Sequence, residues 1–337
     1  MNTHRAILAA PSTHVNDPLA ALARKNGFAV TNRGADTQIS APLGRVLLRN
    51  QGKTTAVEFD APSPAELQML KELYAERFRK LGLDEGIRWD APAAPAPLNQ
   101  TRTQVVDCRK ISPNFARLRL NGDFSAFARP GAGLHFRFLL GPDGAGLPYL
   151  DADGLTAWPG GIRAWHRPPY TVRWISETAD MIDIDIVLHE GGRVTDWCLQ
   201  LNPGDLVALN GPSGSKQPPA RWLALFGDET ALPVIARILE DAAPDTEGHA
   251  VIAVRDPADA QQIRTQTIIQ TEWIDMADPE AMVARIQDLA LPGTDRHAFY
   301  GGERAQAERI RALFQDKGLV ASEAKSASYW TRGSTAN

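Results

Sequence analysis

Tyr170-Thr171-Val172-Arg173, followed one strand later by Gly191-Gly192-Arg193-Val194-Thr195, is the stretch that decides the fold. In the first segment the residues alternate, so Tyr170 and Val172 face one side of a strand while Thr171 and Arg173 face the other. In the second segment a Gly-Gly turn leads into a helix, whose first N–H groups lack partners within the helix and favour an anion. The two segments predict a β-rich domain that holds a flat, negatively charged ligand.

The sequence around this stretch is rich in predicted strands and contains one helix. The segments 104–111 and 116–120 show the apolar–polar alternation that is typical of strands. Further strands are predicted at 135–140, 170–175, 181–188 and 206–210, with the helix beginning at about Arg193. Six strands with a single helix predict a small closed antiparallel barrel. A Gly- and Pro-rich loop at 141–167 is long enough to be functional or poorly ordered.

Strands and helices alternate regularly from Arg221 onwards. Strands are predicted at 222–226, 249–254, 267–273 and 296–300, and helices at 230–241, 279–289 and 303–317. This alternation predicts a parallel sheet with helices on both faces. The loops Gly227-Asp228-Glu229-Thr230 and Gly301-Gly302 each follow a strand, so both are expected at the carboxyl edge, where nucleotides bind in such sheets. The first loop lacks the three-glycine fingerprint of a full dinucleotide site.

A separate small module precedes the barrel. It combines a short amphipathic helix at 18–25 with two strands, at 44–48 and 54–59. Ser63-Pro64-Ala65-Glu66 then provides an N-cap, a proline at the first helical position and an acid in the first turn of a helix that runs to about Leu81. The chain is therefore a multi-domain α+β and α/β protein. Its predicted segments are a small α+β accessory domain (1–90), a Pro/Ala linker (91–97), a β-barrel domain (98–215) and an α/β domain (216–337).

The composition excludes several classes of protein. A length of 337 residues is too great for one ordinary core, and 43% hydrophobic with 23% charged residues is typical of a soluble globular protein. The net charge of −4 argues against a nucleic-acid partner. No apolar run is long enough for a membrane span, and the run at 6–10 is too short for a signal peptide. The two cysteines, Cys108 and Cys198, are too few for a metal cage and favour a reduced, cytoplasmic protein.

The Tyr170 strand and the Gly192 turn together suit a flavin nucleotide. The ring of FAD needs a flat surface with polar edges, and its pyrophosphate needs backbone N–H groups and a positive charge such as that of Arg193. Taken alone, each element is an ordinary feature. The first is a strand whose aromatic side chain packs in the sheet, and the second is a capped helix N-terminus. Their pairing favours FAD. His189, just before the turn, is equally well interpreted as a flavin or phosphate contact or as a hydrogen-bonded core histidine.

The sequence leaves the identity of the pyridine nucleotide open. Arg255 follows the second strand of the parallel sheet, where a cation meets a 2′-phosphate, but Asp256 is immediately next to it and would suit a 2′-hydroxyl. NADPH and NADH both remain possible donors. The sequence has no Gly-x-Ser-x-Gly, HExxH, Walker or CxxC motif, so hydrolase and metalloenzyme interpretations have no residues to support them.

Several segments give the chain a resemblance to a known family over about residues 98–333. The Tyr170 strand, the region 189–197, Pro203-Gly204-Asp205 and the run at 227–237 resemble the siderophore-interacting protein family. Tyr329-Trp330-Thr331-Arg332-Gly333 is similar to that family's closing Tyr-Trp-x-x-Gly element. The family's members are flavin-dependent ferric-siderophore reductases, with a FAD-binding barrel followed by a pyridine-nucleotide domain. The N-terminal module is more loosely similar to a small uncharacterised domain that accompanies such reductases.

The resemblance implies roles for individual residues. Tyr170 would pack along the isoalloxazine, Thr171 would bond the flavin edge, Arg173 would neutralise FAD phosphate, and the turn from Gly192 to Thr195 would hold the pyrophosphate. The predicted cofactor contacts are Arg167, Tyr170, Thr171, Val172, Arg173, His189, Gly191, Gly192, Arg193, Val194, Thr195, Gly227, Asp228, Glu229 and Thr230. The family has an arginine two residues before the tyrosine, whereas Pro168 stands there in this chain. Either a one-residue bulge brings Arg167 into place or the flavin contact differs.

The resemblance also implies a substrate and a reaction. Ferric siderophores are often anionic, and Arg137, Arg304 and Lys325 are candidates for a cationic rim, although each is also an ordinary surface charge. The expected reaction moves electrons from NAD(P)H through FAD to Fe(III) in a ferric siderophore, without an acid–base residue or a protein metal site. Two alternatives are a flavin reductase with a ferredoxin-type protein partner and a non-catalytic siderophore-binding protein. The accessory domain would serve dimerisation or docking.

Overall fold

The computed structural model describes residues 2–90, 97–214 and 216–333. The chain forms two compact units. One contains the residues up to Gln100 together with Gly141–Trp165, and the other contains Thr101–Leu140 together with the residues from His166 onwards. The predicted linker at 91–97 lies, apart from Pro97, outside the described residues. The boundaries of the four predicted segments stay a prediction.

The N-terminal module is a six-stranded antiparallel sheet with two helices, as the α+β prediction requires. Its elements are β1 (Asn2–Leu8), α1 (Ser12–Lys25), β2 (Ala29–Arg33), β3 (Asp36–Ala41), β4 (Gly44–Asn50), β5 (Thr55–Ala61), α2 (Pro64–Lys80) and β6 (Arg88–Trp89). The strand order is β2-β3-β4-β5-β1-β6. At the start of α2, the Ser63 hydroxyl accepts a hydrogen bond from the Glu66 N–H at 3.2 Å and donates one to the Glu66 carboxylate at 2.8 Å. The predicted N-cap, the proline at the first helical position and the acid in the first turn are therefore confirmed.

The second unit begins with a seven-stranded antiparallel sheet. Its elements, with the hairpin β10–β11 that belongs to the first unit, are β7 (Gln100–Ser112), β8 (Phe115–Gly122), β9 (His135–Phe138), β10 (Tyr149–Leu150), β11 (Thr156–Ala157), β12 (Pro169–Thr171), β13 (Trp174–Ile175), β14 (Met181–Val187), α3 (Arg193–Cys198) and β15 (Leu206–Ser213). The strand order is β12-β9-β15-β7-β8-β14-β13. The two end strands, β12 and β13, are separated in sequence by only Val172 and Arg173. The sheet therefore closes on itself, and the predicted barrel is confirmed.

The single strand predicted at 170–175 is two short strands in the structure. The Val172 N–H donates to the Leu134 carbonyl at 3.0 Å, whereas the Arg173 N–H donates to the Asp183 carbonyl at 2.8 Å. Consecutive residues thus bond to opposite ends of the sheet. The prediction of one continuous strand is wrong because the chain changes its pairing partner to close the barrel.

The segment Gly141–Trp165 packs against the N-terminal module. The Lys71 ammonium on α2 donates to the Asp153 carbonyl at 2.5 Å, and the Gln68 amide donates to the Gly154 carbonyl at 3.1 Å. The Thr156 hydroxyl donates to the Glu72 carboxylate. These contacts run along one face of α2, so the long loop predicted at 141–167 is largely an ordered structural element of the first unit.

The second unit ends in a five-stranded parallel sheet with helices. Its elements are β16 (Trp222–Asp228), α4 (Leu232–Asp241), β17 (Glu247–Val254), β18 (Thr271–Asp275), α5 (Pro279–Gln287), β19 (Arg296–Glu303), α6 (Arg304–Asp316) and β20 (Ala324–Trp330). The order is β18-β17-β16-β19-β20, and every pair is parallel. Apolar clusters cover both faces of this sheet, one with α4 and the other with α5 and α6. The doubly covered sheet is as predicted, with one further strand, β20, that the periodicity did not indicate.

Within the ranges that the structure describes, no helix has the length and apolar character needed to cross a membrane.

Candidate functional site

The Thr171 hydroxyl lies beside a histidine on the neighbouring strand. Thr171 pairs with His135 in the β9–β12 ladder, and the Nδ1 atom of His135 is 3.1 Å from the Thr171 Oγ1 atom. Thr171 is buried. Burial, and to a lesser extent the positive charge of Lys325, lower the pKa of His135 to about 4. His135 is therefore neutral at physiological pH and forms a fixed hydrogen-bonding partner for Thr171.

Tyr170 and Val172 lie on the same side of the chain, as the alternation predicts, and the structure shows that this is the core side of the barrel. The Tyr170 ring packs against Phe138 with 5.0 Å between ring centroids, and Val172 is part of the barrel core. Burial raises the pKa of the Tyr170 phenol, so it stays protonated. The phenyl ring of Phe138 also contacts Trp197 on α3 at 5.0 Å, which joins the Tyr170 strand to the helix that follows the Gly-Gly turn.

Arg173 is buried and paired with carboxylates. Its Nη1 and Nη2 atoms donate to the two oxygens of Glu240 at 2.5 and 2.9 Å, and its Nε atom lies 3.8 Å from Asp185. The guanidinium holds the pKa of Glu240 below its usual value in spite of burial, which acts in the opposite direction. A contact between Arg173 and a phosphate requires this ion pair to open. The predicted phosphate role of Arg173 stays a prediction.

The Gly-Gly turn is closely packed at Gly192. The Thr195 hydroxyl accepts a hydrogen bond from the His189 N–H at 3.1 Å, which holds the two sides of the turn together. A Cβ atom on Gly192 would lie 2.7 Å from the His189 ring and 2.9 Å from the Thr195 hydroxyl. Gly191 has a φ of +70°, a conformation that favours glycine. His189 and Arg193 are exposed at this turn, whereas Val194 is buried.

Pro168 replaces the expected arginine without a bulge in the paired stretch. The β9–β12 ladder runs in regular register over Pro169–Thr171, and the Pro168 carbonyl accepts a hydrogen bond from the Phe138 N–H at 3.1 Å. Arg137 donates to the Arg167 carbonyl at 2.7 Å. Arg167 is partly exposed, and burial together with the neighbouring Arg137 charge lowers its pKa. No bulge within Pro169–Thr171 moves Arg167 to the place of the expected arginine, and the flavin contact of Arg167 stays a prediction.

The two Gly-rich loops meet at the carboxyl edge of the parallel sheet. Gly227 at the end of β16 is the register partner of Gly301 on β19, and a Cβ atom on Gly227 would lie 2.7 Å from the Gly301 carbonyl oxygen. A Cβ atom on Gly302 would lie 2.6 Å from the Asp228 carboxylate. The expected convergence of the loops is confirmed, and only glycine fits these positions without displacing a neighbour.

Asp228 binds three chain segments together at this edge. One carboxylate oxygen accepts from the Thr230 N–H and hydroxyl at 2.9 and 2.5 Å. The other accepts from the Glu303 N–H at 3.1 Å and from the Trp330 indole at 2.7 Å. Burial raises the pKa of Asp228, and these donors oppose that effect. Because both carboxylate oxygens of Asp228 accept hydrogen bonds from the protein, its role is to hold the conformation of this loop.

Glu229 is buried and forms an ion pair with Arg255. The Arg255 Nε atom lies 2.6 Å from the Glu229 carboxylate, and its Nη2 atom donates to the Leu188 carbonyl at 3.0 Å. Burial raises the pKa of Glu229, although Arg255 opposes it. Leu188 directly precedes His189. Arg255 therefore connects the carboxyl edge of the parallel sheet to the segment that leads into the Gly-Gly turn.

The three cations that were predicted to bind the substrate do not all lie in the same part of the structure. Arg137 is exposed on β9, on the same side of the strand as His135. Lys325 on β20 lies close enough to His135 to lower its pKa, and burial lowers the pKa of Lys325 itself. The structure therefore brings Arg137 and Lys325 to the surroundings of one histidine. Arg304 is exposed at the first position of α6, on the carboxyl-edge loop.

Two residues around Thr171 were missed by the sequence analysis. His135 shares a strand face with Arg137, so the alternation over 135–138 was the available signal. Tyr329 lies edge-on to His135 with 6.3 Å between ring centroids, and its hydroxyl is buried without a hydrogen-bonding partner in the described structure. Among the described residues, no group of three or more His, Cys, Asp or Glu side chains is arranged to hold a metal ion.

Comparison with known proteins agrees with this geometry. Residues 104–216 match the family model described as the siderophore-interacting FAD-binding domain, and residues 220–333 match the model described as siderophore-interacting protein. A crystal structure of a siderophore utilization protein from T. fusca superposes with a TM-score of 0.62 and 26% identity, covering 74% of this chain and 98% of that one.

Two curated relatives each match about two thirds of the chain. The NADPH-dependent ferric-chelate reductase of Escherichia coli (strain K12) is 27% identical over 233 residues, 67% of this chain and 91% of the relative. The ferric vibriobactin reductase ViuB of Vibrio cholerae is 29% identical over 240 residues, 66% of this chain and 86% of the relative. A FAD-binding barrel followed by a parallel nucleotide-binding sheet defines a flavoprotein reductase, and its fold resembles that of ferredoxin reductases. The chain belongs to the siderophore-interacting protein family.

Proposed function

We propose that this protein is a FAD-dependent ferric-siderophore reductase, which takes electrons from NAD(P)H and releases Fe(II) from a ferric chelate. The observation that carries the proposal is the site at which the barrel closes. There, the Tyr170–Thr171 strand, the Gly192 turn and the cations near His135 all belong to one compact unit that matches the family's two domains.

The residues of the barrel suit a flavin nucleotide. Thr171 offers a hydroxyl that His135 holds in place, and the first turn of α3 offers N–H groups that have no acceptor within the helix. Arg193 is exposed at that turn, and Arg167 is partly exposed before Tyr170. We assign the phosphate charge to Arg167 and Arg193, because Arg173 is engaged by Glu240.

The carboxyl edge of the parallel sheet suits the pyridine nucleotide. Gly227 and Gly301 let the two loops pack closely together at this edge, where nucleotides bind in such sheets, and Thr230 follows before the next helix. Arg255 is partly exposed and already paired with Glu229, so a 2′-phosphate would share its charge with that carboxylate. This arrangement supports NADPH or NADH as the donor.

The cations near His135 support an anionic ferric chelate as the substrate. Arg137 shares a strand face with His135, and the charge of Lys325 acts on His135, so these two cations would attract an anion to this part of the protein. A ferredoxin-type protein remains a second possible electron acceptor or donor. We place the reaction in the cytoplasm, where thiols such as Cys108 and Cys198 stay reduced.

The protein's own contribution to the reaction is binding and positioning. FAD, when bound, accepts a hydride from the nicotinamide and passes electrons singly to iron. Thr171, held by His135, would offer its hydroxyl to the edge of the flavin, and the ring of Tyr170, which packs against Phe138, would contact the isoalloxazine. Fe(II) binds hard oxygen ligands more weakly than Fe(III), so reduction is sufficient to release the metal and no acid–base residue is needed.

The purified full-length protein tests this function directly. We expect a yellow protein whose visible absorption is bleached anaerobically by NADPH or NADH, and which yields Fe(II) to a ferrous chelator when a ferric siderophore is present. A protein that stays colourless after incubation with FAD would contradict the proposal. Faster electron transfer to a ferredoxin than to ferric chelates would establish the protein-partner alternative instead.

Gly192→Ala tests the flavin turn. The added Cβ atom would collide with His189 and Thr195, so the turn must move and we expect FAD affinity to fall by about tenfold or more. Fluorescence titration of the apoprotein with FAD measures this effect. Gly293→Ala is the matched control, because a Cβ atom there meets nothing within 4 Å and the backbone is compatible with alanine. Equal FAD affinity in the two variants would place the pyrophosphate elsewhere.

A further inference from the structure

Helix α4 connects the loop at 227–230 to the end of strand β12, the two segments to which we assign the pyridine nucleotide and the flavin. The helix begins at Leu232, directly after the loop, and its ten residues give it a length of about 15 Å. A Cβ atom on Gly227 would lie 2.6 Å from the Ala231 Cβ atom, so the end of β16 packs tightly on the beginning of the helix. At the far end of the helix, Glu240 reaches the closure of the barrel.

The last turns of α4 hold the chain just after Thr171. The Glu240 carboxylate accepts hydrogen bonds from both Nη atoms of Arg173, at 2.5 and 2.9 Å. The Arg237 Nη1 atom donates to the Val172 carbonyl at 3.3 Å. Val172 and Arg173 are the residues at which the chain passes from β12 to β13. Two side chains of one helix therefore hold both the backbone and the side chain that follow Thr171.

The surroundings of Glu240 and Arg173 keep this link in one arrangement. The Glu240 carboxylate also accepts a hydrogen bond from the Arg264 N–H at 3.2 Å. The Arg173 side chain is only 7% exposed, and its Nε atom lies 3.8 Å from Asp185, which Arg117 holds at 2.7 and 2.9 Å. Because little water can replace a lost partner in a buried ion pair, other arrangements of these side chains cost free energy.

The helix itself is packed between the barrel and the parallel sheet. Leu232, Ile235 and Leu239 are buried in one apolar cluster with strands of the sheet and with Phe115 and Leu134 of the barrel. The Leu134 carbonyl in turn accepts the hydrogen bond of the N–H group that follows Thr171. Close-packed interiors transmit a displacement instead of absorbing it. The loop at 227–230 and the end of β12 are thus held at a fixed separation by α4.

We propose that Glu240 and Arg237 are positioning residues for hydride transfer, which hold the end of β12 in a fixed relation to the loop at 227–230. They act through Arg173 and the Val172 carbonyl. The step they serve moves a hydride, a proton with two electrons, from the nicotinamide to the flavin. Such a step needs closely aligned reactants, and a misplacement of about 1 Å costs on the order of 100-fold in rate. Electron transfer from the flavin to iron does not use the loop at 227–230. This inference rests on the proposed function.

Glu240→Gln tests the positioning role. Glutamine has the shape of glutamate but turns an amide N–H towards the guanidinium, so the double hydrogen bond to Arg173 is lost. We expect the rate of anaerobic flavin bleaching by NADPH or NADH to fall about tenfold or more. The affinity of the apoprotein for FAD, and the rate at which dithionite-reduced protein reduces ferric citrate, should each change by less than about twofold. A residue that merely stabilises the fold would not separate the two half-reactions.

The apoprotein provides a second measurement that needs no cofactor. In Glu240→Gln, amide hydrogen exchange should be faster over 172–174, because the link to α4 is weakened. Asp245→Asn is the matched control, since Asp245 is 61% exposed and pairs with an exposed arginine. It should behave like the wild-type protein in every measurement. Should Glu240→Gln fail to fold, Arg237→Leu removes the other bond of α4, and the same comparison applies.

Two results would overturn the positioning role. One is an equal loss of rate in both half-reactions, which would show a general effect on the flavin site. The other is an unchanged rate of bleaching although amide exchange over 172–174 is faster. Failure of the proposed function gives a different result, because the wild-type protein would then bind no FAD or would not be bleached by either nucleotide.

Discussion

At the scale of the residue, the site depends on a histidine that is kept neutral. His135 sits between Thr171 and Tyr329, and its pKa of about 4 results first from burial and then from Lys325. A charged imidazole would donate from both nitrogens, whereas a neutral one has one donor and one acceptor. Neutrality therefore lets His135 hold the Thr171 hydroxyl in a single defined hydrogen bond.

The lowered pKa of His135 predicts a specific pH dependence of stability. Because the unfolded chain takes up the proton near the ordinary histidine value of 6.5, and the folded protein only near 4, the contribution of His135 is present above pH 6.5 and is lost as the pH falls through 4. The loss amounts to at most about 3 kcal/mol. His135→Asn, which keeps a polar group near Thr171, should flatten the unfolding free energy between these pH values.

Urea denaturation at a series of pH values measures this effect. Other groups titrate in the same range, so the prediction concerns the difference between the variant and the wild-type protein. His14→Asn, at an exposed histidine, is the control and should follow the wild-type profile. Parallel profiles for His135→Asn and the wild-type protein would show that His135 binds its proton equally in both states.

At the scale of the element, α2 connects two parts of the first unit that are distant in sequence. Its buried face contributes Tyr74 and Phe78 to the core of the N-terminal sheet. Polar residues of the same helix, Gln68 and Lys71, bond to the carbonyl groups of Gly154 and Asp153. Anything that frays the start of α2 should therefore also loosen the 141–165 segment.

Ser63→Ala tests this dependence. Removing the hydroxyl leaves the Glu66 N–H without its cap and should lower the local stability of α2 by about 1 kcal/mol. Faster amide hydrogen exchange over 64–80, accompanied by faster exchange at 151–156, is the expected result. Ser63→Asp keeps a capping oxygen and is the matched control. Identical exchange in the two variants would mean that the cap contributes nothing to α2.

At the scale of the whole molecule, buried polar contacts join the barrel to the parallel sheet within the second unit. Asp259, which follows β17, accepts hydrogen bonds from the Ser112 hydroxyl and from the Asn114 N–H and side-chain amide in the β7–β8 hairpin. Arg173 at the barrel closure pairs with Glu240 on α4. The predicted flavin and nucleotide sites are thus held by one connected framework.

A double-mutant cycle on Arg173 and Glu240 tests this framework. Arg173→Met removes the guanidinium that pairs with Glu240 in a buried region, while Asp185 keeps its ion pair with Arg117, and should lower the free energy of unfolding by about 3–5 kcal/mol. Adding Glu240→Met should restore part of that loss, because the unpaired charge is removed. Chemical denaturation measures all four proteins of the cycle.

An exposed pair provides the control for that cycle. Arg221 and Asp245 are 2.9 Å apart, but their side chains are 70% and 61% exposed. Arg221→Met should therefore change the unfolding free energy by less than about 1 kcal/mol. If Arg173→Met and Arg221→Met had equal effects, the barrel closure would not depend on the buried ion pair.

Local patterns in the sequence were enough to predict the architecture. The alternation of residues indicated the barrel strands, the strand–helix rhythm indicated the parallel sheet, and Ser63 with Glu66 indicated the start of α2. The meeting of Gly227 and Gly301 followed as well, because the carboxyl ends of parallel strands share one edge. These features depend on neighbours within a few residues or on the direction of a strand.

Only the tertiary structure shows how the residues Tyr170-Thr171-Val172-Arg173 pair with other strands of the barrel. The alternation correctly placed Tyr170 and Val172 on one side of the chain, but the switch of pairing partner between Val172 and Arg173, which closes the barrel, has no local signal. The Arg173–Glu240 pair and the contact of Lys71 with the Asp153 carbonyl join residues 67 and 82 positions apart. Such pairs depend on how whole elements pack, whereas periodicity reports only which side of its own element a residue occupies.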